Sequence, residues 1–577
     1  MDLTALYGTD KPPRQGQVLR AGAATATLEA GQLRHMRVGG VEAIRAVSFL
    51  VRDRDWGTVD PVITGLALDG GRVAYGARYD MGAGRLDVQV ALTLTPDGLT
   101  AEAVATAHGS VETNRAGFTV LHPIEGVAGA PVRVGHPGGV EDASFPALIE
   151  PWQPFQDITS LTHQAGGLRI ECRLEGDVFE MEDQRQWGDA SFKTYNRPLA
   201  LPWPYAIGDG EELRQAVRIA WTPAASADPV APIRAEAPGA AFPETALVLT
   251  PTDARRAAAH PDHLRRIGAH RVLCHLDIAA GHGLSELGGF AALQAALPDL
   301  AYDLELIAAC PPKGDLEAEF AGYAADVASS GLGVASVMVC PSVDRQSTPP
   351  GSEWPPCPPA EAIHAAARAA FPGVTLGGGV ASFFPELNRK RPPADAWDFI
   401  THGLCPIVHA ADDRSVMETL EAAPHILASG RAIVGGRDYR LGPSTIAMRQ
   451  NPYGSRPIPN PDRGRVCMAA DDPRQDGAFA AAWTLGLAAS IAPAGITVWT
   501  PAALYGPRGL IRDDGSLRPV AAVVQALAAQ AGRPVRRAAI ADGRADLVFD
   551  DAALTANLTP DGPHPFGWQN RPPSPMA

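Results

Sequence analysis

The sequence predicts a multidomain α/β plus β protein, with a central (β/α)8 TIM-type barrel, an N-terminal antiparallel β-sandwich and a small C-terminal β segment. Three observations lead to this prediction. A chain of 577 residues is too long for one hydrophobic core. Up to about residue 225, apolar and polar residues alternate with period two. From about residue 244, continuous apolar runs alternate with helical patterns.

The predicted N-terminal domain covers residues 1–225. Stretches such as TATLEAGQLRHMRVGG and GRLDVQVALTLTPDGLTAEAVATA alternate in polarity and are broken by Gly, Asp-Gly or Pro-Asp-Gly turns. This pattern is typical of antiparallel strands joined by tight turns, and a large set of them favours a sandwich. The Pro- and Ala-rich sequence from Ala224 to Pro243 is interpreted as a linker.

The predicted barrel covers residues 244–532. Eight strand-like runs, among them TALVLTP, HRVLCHLDI, YDLELIAAC and ASVMVCPS, alternate with mostly helical segments. The runs are continuously apolar, as in parallel strands covered on both faces. Eight such runs in about 290 residues fit a (β/α)8 barrel. The segment FFPELNRKRPPADA, which follows Gly379, shows no convincing helix, so a loop is predicted there.

The predicted C-terminal segment, residues 533–577, again has the pattern of short strands. It is too short to bury a core of its own. We therefore expect its strands to complete a sheet elsewhere in the molecule.

Composition excludes several classes of function. Apolar residues make up 46% and charged residues 20%, as in an ordinary globular protein. The net charge of −15 and the lack of a long basic run argue against nucleic acid or anionic membrane as a partner. The N-terminus lacks the features of a signal peptide, and the seven cysteines are scattered without a CxxC pair. These features predict a reduced, cytoplasmic protein, and they are compatible with a homo-oligomer.

The strongest candidate site lies between Val374 and Asp413. Two apolar runs there, 374–380 and 397–402, are each followed at once by polar residues. The carboxyl ends of neighbouring barrel strands meet at one mouth, where chemistry is found. The alternative interpretation is a salt-bridged loop on a solvated rim. The polar residues that follow the two runs include Glu386, Asn388, Arg389, His402 and His409.

A second candidate pair lies in HRVLCHLDI, where His275 and Asp277 alternate and so face the same side of a strand. They are interpreted as a base with its orienting group, as ligands, or as a buried hydrogen-bonded pair. Motifs for a nucleophile elbow, a metalloprotease, a P-loop or a dinucleotide fold are missing from the sequence. His402, His409 and Asp412 match no strong zinc spacing. The sequence therefore predicts neither a cofactor nor a metal.

The stretch 176–205 mixes charged residues with aromatic ones. We interpret it as a loop that reaches over the barrel mouth, in which Glu182, Asp183 or Lys193 holds sugar hydroxyls. The alternative is an aromatic-rich domain interface joined by ion pairs.

Three segments carry a resemblance to a known family: FEMEDQRQWGDASFKTYNRPLALPWPY, the GGG–FPELNRKRPP segment and THGLCPIVHAADDRSVMETLEA. They resemble the D-apionolactonase (D-apionate lactonase) family, and the resemblance covers nearly the whole chain. It implies an N-terminal β domain, a TIM-type barrel and a C-terminal β domain. It also implies hydrolysis of D-apionolactone to D-apionate in bacterial catabolism of the branched pentose apiose. It implies no particular catalytic residues.

A lactone is an internal ester, so its hydrolysis needs a base for water, a donor for the oxyanion and an acid for the leaving oxygen. The hypothesis from the sequence gives Glu386 the role of base. Arg389 or His402 would stabilise the oxyanion, and His402 or His409 would protonate the leaving oxygen. The remaining candidates, Asn388, Asp277 and Lys193, would hold hydroxyls.

Two other functions compete with this hypothesis. A β domain joined to a (β/α)8 barrel is also a common plan among glycoside hydrolases, which need two carboxylates across the mouth. Glu386 would then be one of the two, with Asp277, Asp412 or Glu305 as the second. The third function is non-catalytic carbohydrate binding through the aromatic-rich stretch 176–205.

Overall fold

The computed structural model describes residues 2–224, 239–348, 350–393, 396–454 and 456–573. These residues form two compact units. The sandwich unit consists of residues 13–224 and 350–352, and the barrel unit contains residues 2–12 together with the described residues from 239 to 348 and from 353 onward. The predicted linker falls mainly on residues 225–238, which lie outside the described residues. The predicted domain limits stay a prediction.

The sandwich unit is built from antiparallel strands that follow the period-two pattern of the sequence. Its strands are β1 (Gln17–Ala21), β2 (Ala24–Glu29), β3 (Gln32–Val38), β4 (Val41–Arg52), β5 (Val62–Asp69), β6 (Arg72–Asp80), β7 (Gly84–Thr95), β8 (Gly98–Gly109), β9 (Val111–Thr113), β10 (Arg115–His122), β11 (Pro131–His136), β12 (Gly139–Ser144), β13 (Ser160–Ala165), β14 (Leu168–Glu175), β15 (Phe179–Asp183), β16 (Phe192–Asn196), β17 (Tyr205–Ile207) and β18 (Glu212–Pro223).

These strands form two large sheets that share one core. A seven-stranded sheet has the order β1-β2-β3-β4-β10-β16-β15, and a nine-stranded sheet has the order β12-β11-β13-β14-β18-β8-β7-β6-β5. Strands β9 and β17 form a separate small sheet. The core contains Phe118 and Val120 of β10 together with Val88 and Val90 of β7, so side chains from both large sheets pack in one cluster. The predicted antiparallel sandwich is confirmed.

The barrel unit contains eight parallel strands that close on themselves. They are β19 (Glu244–Leu249), β20 (Arg271–Asp277), β21 (Ala301–Ala308), β22 (Ser336–Pro341), β23 (Thr375–Phe383), β24 (Phe399–Leu404), β25 (Asp438–Ser444) and β26 (Val498–Ala503). The predicted (β/α)8 barrel is confirmed. Among the described residues, no helix combines the length and the apolar composition needed to cross a membrane.

The helices belong to the barrel unit. They are α1 (Leu3–Tyr7), α2 (Pro251–Ala259), α3 (Asp262–Ile267), α4 (Leu284–Ala296), α5 (Leu316–Ser330), α6 (Ala360–Ala370), α7 (Phe384–Lys390), α8 (Asp413–Val434), α9 (Ala478–Ile491) and α10 (Pro519–Ala528). Helix α1 packs on the far end of the chain. Its Tyr7 ring lies 6.1 Å from the ring of Phe479 in α9 and 5.4 Å from that of Phe566.

The barrel interior has a charged layer near the amino ends of its strands. Arg271 of β20 donates to both carboxylate oxygens of Asp303 of β21, at 2.6 and 2.8 Å. Ser336 donates to Asp303 at 2.5 Å, and Arg440 donates to Ser336 at 2.9 Å. Above this layer, apolar side chains of β21, β22, β23 and β24 form a small cluster that includes Met338. Charges buried in such pairs are satisfied by their hydrogen bonds.

Helix α7 corrects the prediction of a loop after Gly379. Strand β23 runs directly into this short helix, which has Pro385 in its first turn, Glu386 as an acidic residue in that turn and the basic Arg389 and Lys390 in its last turn. Proline at the start, acid near the N-terminus and base near the C-terminus each favour a helix.

The C-terminal segment also differs from its prediction. It does not complete another sheet, because it forms its own antiparallel sheet in the order β27-β28-β29-β30. This sheet gains a core by packing on α9, which is buried from Phe479 to Ile491. The four strands are β27 (Arg537–Ala541), β28 (Arg544–Val548), β29 (Ala553–Asn557) and β30 (Trp568–Arg571).

Candidate active site

The central pair of polar side chains lies near the carboxyl-terminal ends of β20 and β21. In the parallel register, His275 of β20 is the neighbour of Glu305 of β21. Their side chains meet, with His275 Nδ1 2.7 Å from Glu305 Oε1. Active sites of (β/α)8 enzymes are found at this end of the barrel. The strand register therefore holds a carboxylate and an imidazole together where chemistry is expected.

Glu305 is buried, with 2% of its surface exposed, and it also contacts Arg449 from the segment after β25. Arg449 Nη1 donates to Oε1 at 2.8 Å, and Nη2 donates to Oε2 at 3.1 Å and to the Ala381 carbonyl at 2.5 Å. Burial by itself raises the pKa of this carboxyl. The charge of Arg449 and the hydrogen bond from His275 outweigh burial and lower the pKa to about 2. Glu305 is therefore ionised at neutral pH.

His275 is oriented by this contact. An ionised carboxylate accepts hydrogen bonds and donates none, so we assign the ring proton to Nδ1 and the free lone pair to Nε2. Among the described residues, none offers Nε2 a hydrogen bond, and 17% of the side chain is exposed. An imidazole held by a carboxylate at one nitrogen and open at the other can accept a proton from water.

Asp277 lies two residues further along the same face of β20. Its Oδ2 accepts from Arg345 Nη1 at 2.6 Å, and its Oδ1 accepts from the backbone N–H groups of Ala279 and Ala280 at 3.0 and 3.3 Å. The backbone N–H of Asp277 donates to His282 Nδ1 at 3.0 Å. Burial lowers the pKa of His282, and the contact at Nδ1 leaves its proton on Nε2. His282 is thus a neutral donor, with its ring centre 6.3 Å from that of His275.

A second polar group surrounds the buried Glu386 of α7. Oε1 accepts from Ser347 Oγ at 2.6 Å, from the Thr348 backbone at 3.3 Å and from Arg389 Nη1 at 3.2 Å. Oε2 is also buried, and among the described residues it has no hydrogen bond; Lys390 Nζ lies 3.6 Å away. The geometry therefore brings Glu386 and Arg389 together, as expected for two residues one helical turn apart.

The last residues of β23 connect the two groups. The Ala381 carbonyl accepts from Arg449, and the Ala381 N–H contacts Cys340 Sγ at 3.5 Å. Ser382 Oγ donates to the Asp344 carbonyl at 2.7 Å, and the Asp344 carboxyl pairs with Lys390. Burial raises the pKa of Asp344 in spite of this lysine. The adjacent residues Ala381 and Ser382 thus link the group around Glu305 to the group around Glu386.

Comparison with known sequences gives matches along nearly the whole chain. Residues 4–224 match the sequence model described as D-apionate lactonase, N-terminal domain, and residues 245–532 match the one described as D-apionate lactonase, TIM barrel domain. A D-apionate lactonase of Brucella anthropi is 46% identical over 555 residues, which cover 92% of this chain and 90% of that protein. The chain belongs to the D-apionate lactonase family. The predicted family and the predicted enzyme class, a lactone hydrolase, are confirmed by these matches.

Solved structures resemble this D-apionate lactonase family member only distantly. A GH36 α-galactosidase from Geobacillus stearothermophilus is 10% identical, with 94% of this chain and 91% of that chain covered and a TM-score of 0.29. A putative aldose 1-epimerase from Escherichia coli is 10% identical, with 36% of this chain and 99% of that chain covered and a TM-score of 0.28. Both likenesses are too remote to bear on the activity of a lactonase-family chain.

In the described part of this lactonase-family chain, His402, His409 and Asn388 have no hydrogen bond or ion pair with His275 or Glu305. His402 of β24 is fully buried, and its Nε2 lies 2.7 Å from the hydroxyl of Tyr439 on β25. The Tyr439 hydroxyl lies against Gly430 of α8, so His402 faces the helix layer. Burial lowers the pKa of His402 to about 4, which leaves it neutral.

His409 is half-buried in the segment between β24 and α8. Asn388 is buried in α7, and its Oδ1 accepts from Arg391 at 3.1 Å.

The three candidates from the stretch 176–205 belong to the sandwich unit. This stretch is not the predicted loop, because it forms β15 and β16 joined by a short helical turn. Lys193 donates to Glu182 at 2.7 Å, and burial lowers the pKa of Lys193. Asp183 and Arg185 form a fully buried ion pair at 2.6 Å. In the sandwich unit these charges satisfy one another, as buried charges must.

Three residues of the mouth, His282, Arg345 and Arg449, are not predicted by any pattern in the sequence. The sequence hypothesis includes Glu305 only as a possible second carboxylate, although a charge inside the apolar run YDLELIAAC indicates a functional residue. Arg449 had no such signal because it lies in an irregular segment after β25. Among the described residues, no group of three or more His, Cys, Asp and Glu side chains is arranged to hold a metal ion.

Proposed function

We propose that this protein hydrolyses D-apionolactone to D-apionate in the catabolism of apiose. The proposal is supported by membership of the D-apionate lactonase family along both units. The observation that carries its mechanism is the His275–Glu305 pair at the barrel mouth. The competing glycoside hydrolase function is not favoured, since the family matches are to lactonases.

The pair supports general-base activation of water. His275 Nε2 takes a proton from water as the water oxygen bonds to the lactone carbonyl carbon, and the carbonyl oxygen becomes negatively charged. Collapse of this intermediate breaks the bond to the ring oxygen, which takes the proton back from His275 and becomes a hydroxyl. The new carboxylic acid then loses its proton to solvent. Glu305 holds the imidazole and stabilises its protonated form, and Arg449 holds Glu305.

The neighbouring groups fit the binding of a hydroxylated substrate. His282 Nε2 carries a proton that it can donate to a substrate oxygen. Asp277 and Arg345, which pair at 2.6 Å, offer an acceptor and a donor on the same face as His275. Sugar hydroxyls need both kinds of partner.

Glu386, Arg389 and His402 stay predictions as catalytic residues. The contacts of Glu386 and Arg389 with Ser347 and Thr348 favour a supporting role for the loop after β22. The buried contact of His402 with Tyr439 favours a packing role.

The test is acid release at constant pH from D-apionolactone, beside a panel of aryl glycosides. The wild-type protein is expected to open the lactone and to leave the glycosides intact. His275→Gln is expected to lower kcat at least about a hundredfold, because the substitution removes the base. His564→Gln changes an exposed histidine far along the chain and is the matched control, with wild-type activity expected.

Glu386→Gln separates the two assignments of the base. A loss of less than about tenfold is expected, because the amide oxygen of glutamine can still accept from Ser347. A hundredfold loss in Glu386→Gln together with less than a threefold loss in His275→Gln would return the base to Glu386. Cleavage of a glycoside with an inert lactone would contradict the proposed activity itself.

We further propose that the protein works in the cytoplasm, with a small sugar lactone as its partner. Five of its seven cysteines are buried thiols, at positions 172, 274, 310, 340 and 405. Burial raises the pKa of Cys172 and Cys405 to about 12, which keeps these thiols protonated and unreactive. Scattered protonated thiols of this kind are typical of proteins from a reducing compartment.

A further inference from the structure

Arg508 stands out among the charged residues near the barrel mouth because it has no anionic partner in the described part of the chain. It lies in the turn after β26, where its Nη1 donates to the carbonyl oxygens of Met448 at 3.2 Å and Ala470 at 3.5 Å. Its Nε is buried and, among the described residues, has no hydrogen-bond partner. No carboxylate of the residues that the structure describes lies at ion-pair distance from the Arg508 guanidinium.

Several other buried or half-buried arginines of this protein are paired with carboxylates. Arg185 contacts Asp183 at 2.6 Å, Arg474 contacts Asp472 at 2.6 Å and Arg449 contacts Glu305 at 2.8 Å. A largely buried guanidinium without a carboxylate is costly, so such a group indicates a ligand that supplies the missing anion.

The surroundings of Arg508 join it to the proposed active site. Met448, whose carbonyl accepts from Arg508, is the residue directly before Arg449. Burial, together with the positive charge of Arg449, lowers the pKa of Arg508 to about 10, so the residue is still charged at neutral pH. Asp253 and Asp471 act on Arg508 only from beyond ion-pair distance. The segments after β25 and β26 therefore place the two guanidinium groups close enough for their charges to interact.

We propose that Arg508, beside Arg449, forms an anion site that binds the carboxylate of the hydroxy-acid product and stabilises the oxyanion from which that carboxylate forms. The proposal rests on the proposed lactone hydrolysis for the identity of its ligand. The carbonyl oxygen of the lactone becomes one oxygen of the product carboxylate, so one site serves both species. Arg449 is already neutralised by Glu305, which leaves about one uncompensated positive charge. That charge fits a monocarboxylate better than a phosphate dianion.

The experiment is calorimetric titration of the full-length protein with D-apionate and, separately, with inorganic phosphate. The wild-type protein is expected to bind D-apionate more tightly than phosphate. Arg508→Gln is expected to weaken D-apionate binding at least tenfold, because a charged hydrogen bond to the carboxylate is lost. Arg508→Lys keeps the charge without the planar fork and is expected to bind with intermediate affinity. Arg536→Gln is the matched control, because it changes an exposed arginine directly before β27 in the C-terminal sheet.

Kinetics provide a readout that a merely structural role would not move. The lactone is neutral and its oxyanion is charged, so Arg508→Gln is expected to lower kcat at least tenfold with less than a threefold change in KM. Inhibition by added D-apionate is expected to weaken in parallel. Circular dichroism of each variant establishes that it is folded. If Arg508→Gln is not folded, Arg508→Lys replaces it as the test variant.

The outcomes separate this inference from the proposed function. Unchanged D-apionate binding and unchanged kcat in both Arg508 variants, with a wild-type protein that opens the lactone, would overturn the anion site alone. Tighter binding of phosphate than of D-apionate would overturn the choice of a monocarboxylate. A wild-type protein that binds D-apionate through Arg508 but does not open the lactone would support the site and contradict the proposed hydrolysis.

Discussion

Glu305 contacts one cation and one imidazole, and each contact has its own consequence. Arg449 keeps the carboxylate ionised in a buried position, and the ionised carboxylate then holds the proton of His275 on Nδ1. Without Arg449, burial would favour the neutral acid, which would no longer orient the imidazole in the same way. Arg449 is therefore a positioning residue, and His275 is the residue proposed to touch water.

The lowered pKa of Glu305 predicts how stability depends on pH. The pKa is about 2 in the folded protein and 4.5 for an ordinary glutamate, so the ionised form favours folding. This stabilisation is complete above about pH 4.5 and is lost as pH falls toward 2, by up to about 1.4 kcal/mol per pH unit. In urea unfolding at pH 6, 4 and 3, the difference between the wild type and Glu305→Gln is expected to shrink with decreasing pH. A difference that stays constant would contradict the ionised pair. Glu353→Gln, at an exposed position, is the control.

His402 shows what residue-level interpretation of the sequence could not decide. The apolar run predicts its strand and its position near the end of that strand. Alternation along a strand places Phe399 in the interior cluster and His402, three residues later, on the opposite face. The continuous apolar run gave no sign of which face was which, because both faces of a barrel strand are covered. Alternation alone places His275 and Asp277 on one face of β20. The interpretation of these two residues as a hydrogen-bonded pair is wrong, because His275 contacts Glu305 and Asp277 accepts from Arg345.

At the scale of elements, the run Gly377–Gly379 has a packing role. A Cβ on Gly377 would lie 2.1 Å from the Phe399 ring, and a Cβ on Gly378 would lie 2.5 Å from the Trp397 ring. Successive glycines thus make room for one aromatic ring on each face of β23. At Gly379 the backbone has φ of +101°, a conformation that favours glycine.

Gly377→Ala is therefore expected to destabilise the protein by about 1–3 kcal/mol, through overpacking against Phe399. Gly288→Ala in α4 is the matched control, since a Cβ there meets nothing within 4 Å, and alanine is expected to be neutral or slightly stabilising. Thermal unfolding of both variants checks the prediction. Equal midpoints for the two variants would mean that Phe399 moves aside.

Helix α7 was missed for a different reason. The sequence FPELNRK contains the signals of a helix start and a helix end, but it provides only seven residues and no apolar repeat. Its stability comes from burial of Phe384 and Leu387 and from the hydrogen bonds of Glu386 and Arg389 with the loop after β22. Such tertiary contacts are not visible in a local pattern.

At the scale of the whole molecule, the period of the apolar pattern predicted both architectures. Alternation in residues 1–225 and eight apolar runs from 244 onward were sufficient for the sandwich and the barrel. The long segments after β25 and β26 have no period, and they carry Arg449 and Arg508. The proposed site depends on these segments. The sequence therefore predicts the position of the mouth and some of its polar residues, but it does not predict the two arginines.

The sandwich unit contains a buried histidine pair that predicts acid sensitivity. The rings of His122 and His163 lie 5.6 Å apart in the core, and burial lowers the pKa of His163 to about 4. Below pH 6.5 the unfolded chain takes up protons that the folded unit does not, so stability falls as pH decreases toward 4, by up to about 1.4 kcal/mol per unit for each histidine.

His163→Phe is expected to make the stability of the sandwich unit less dependent on pH between 6.5 and 4. Its aromatic ring can keep the edge contacts with His122 and Phe145. Hydrogen exchange of peptides from β14 and β18 at pH 7 and pH 5 reports on this unit alone. The same fall in protection in the variant as in the wild type would refute the role of His163. His564→Gln is the control at an exposed position.

The place of α1 has a consequence for synthesis on the ribosome. Tyr7 is translated long before its partners Phe479 and Phe566. The strands of the sandwich unit are also made before these partners, so α1 cannot dock until α9 and the C-terminal sheet have been synthesised. Docking of α1 is therefore a late step, and a recombinant barrel needs residues 2–12 supplied with it to cover Phe479 and Phe566.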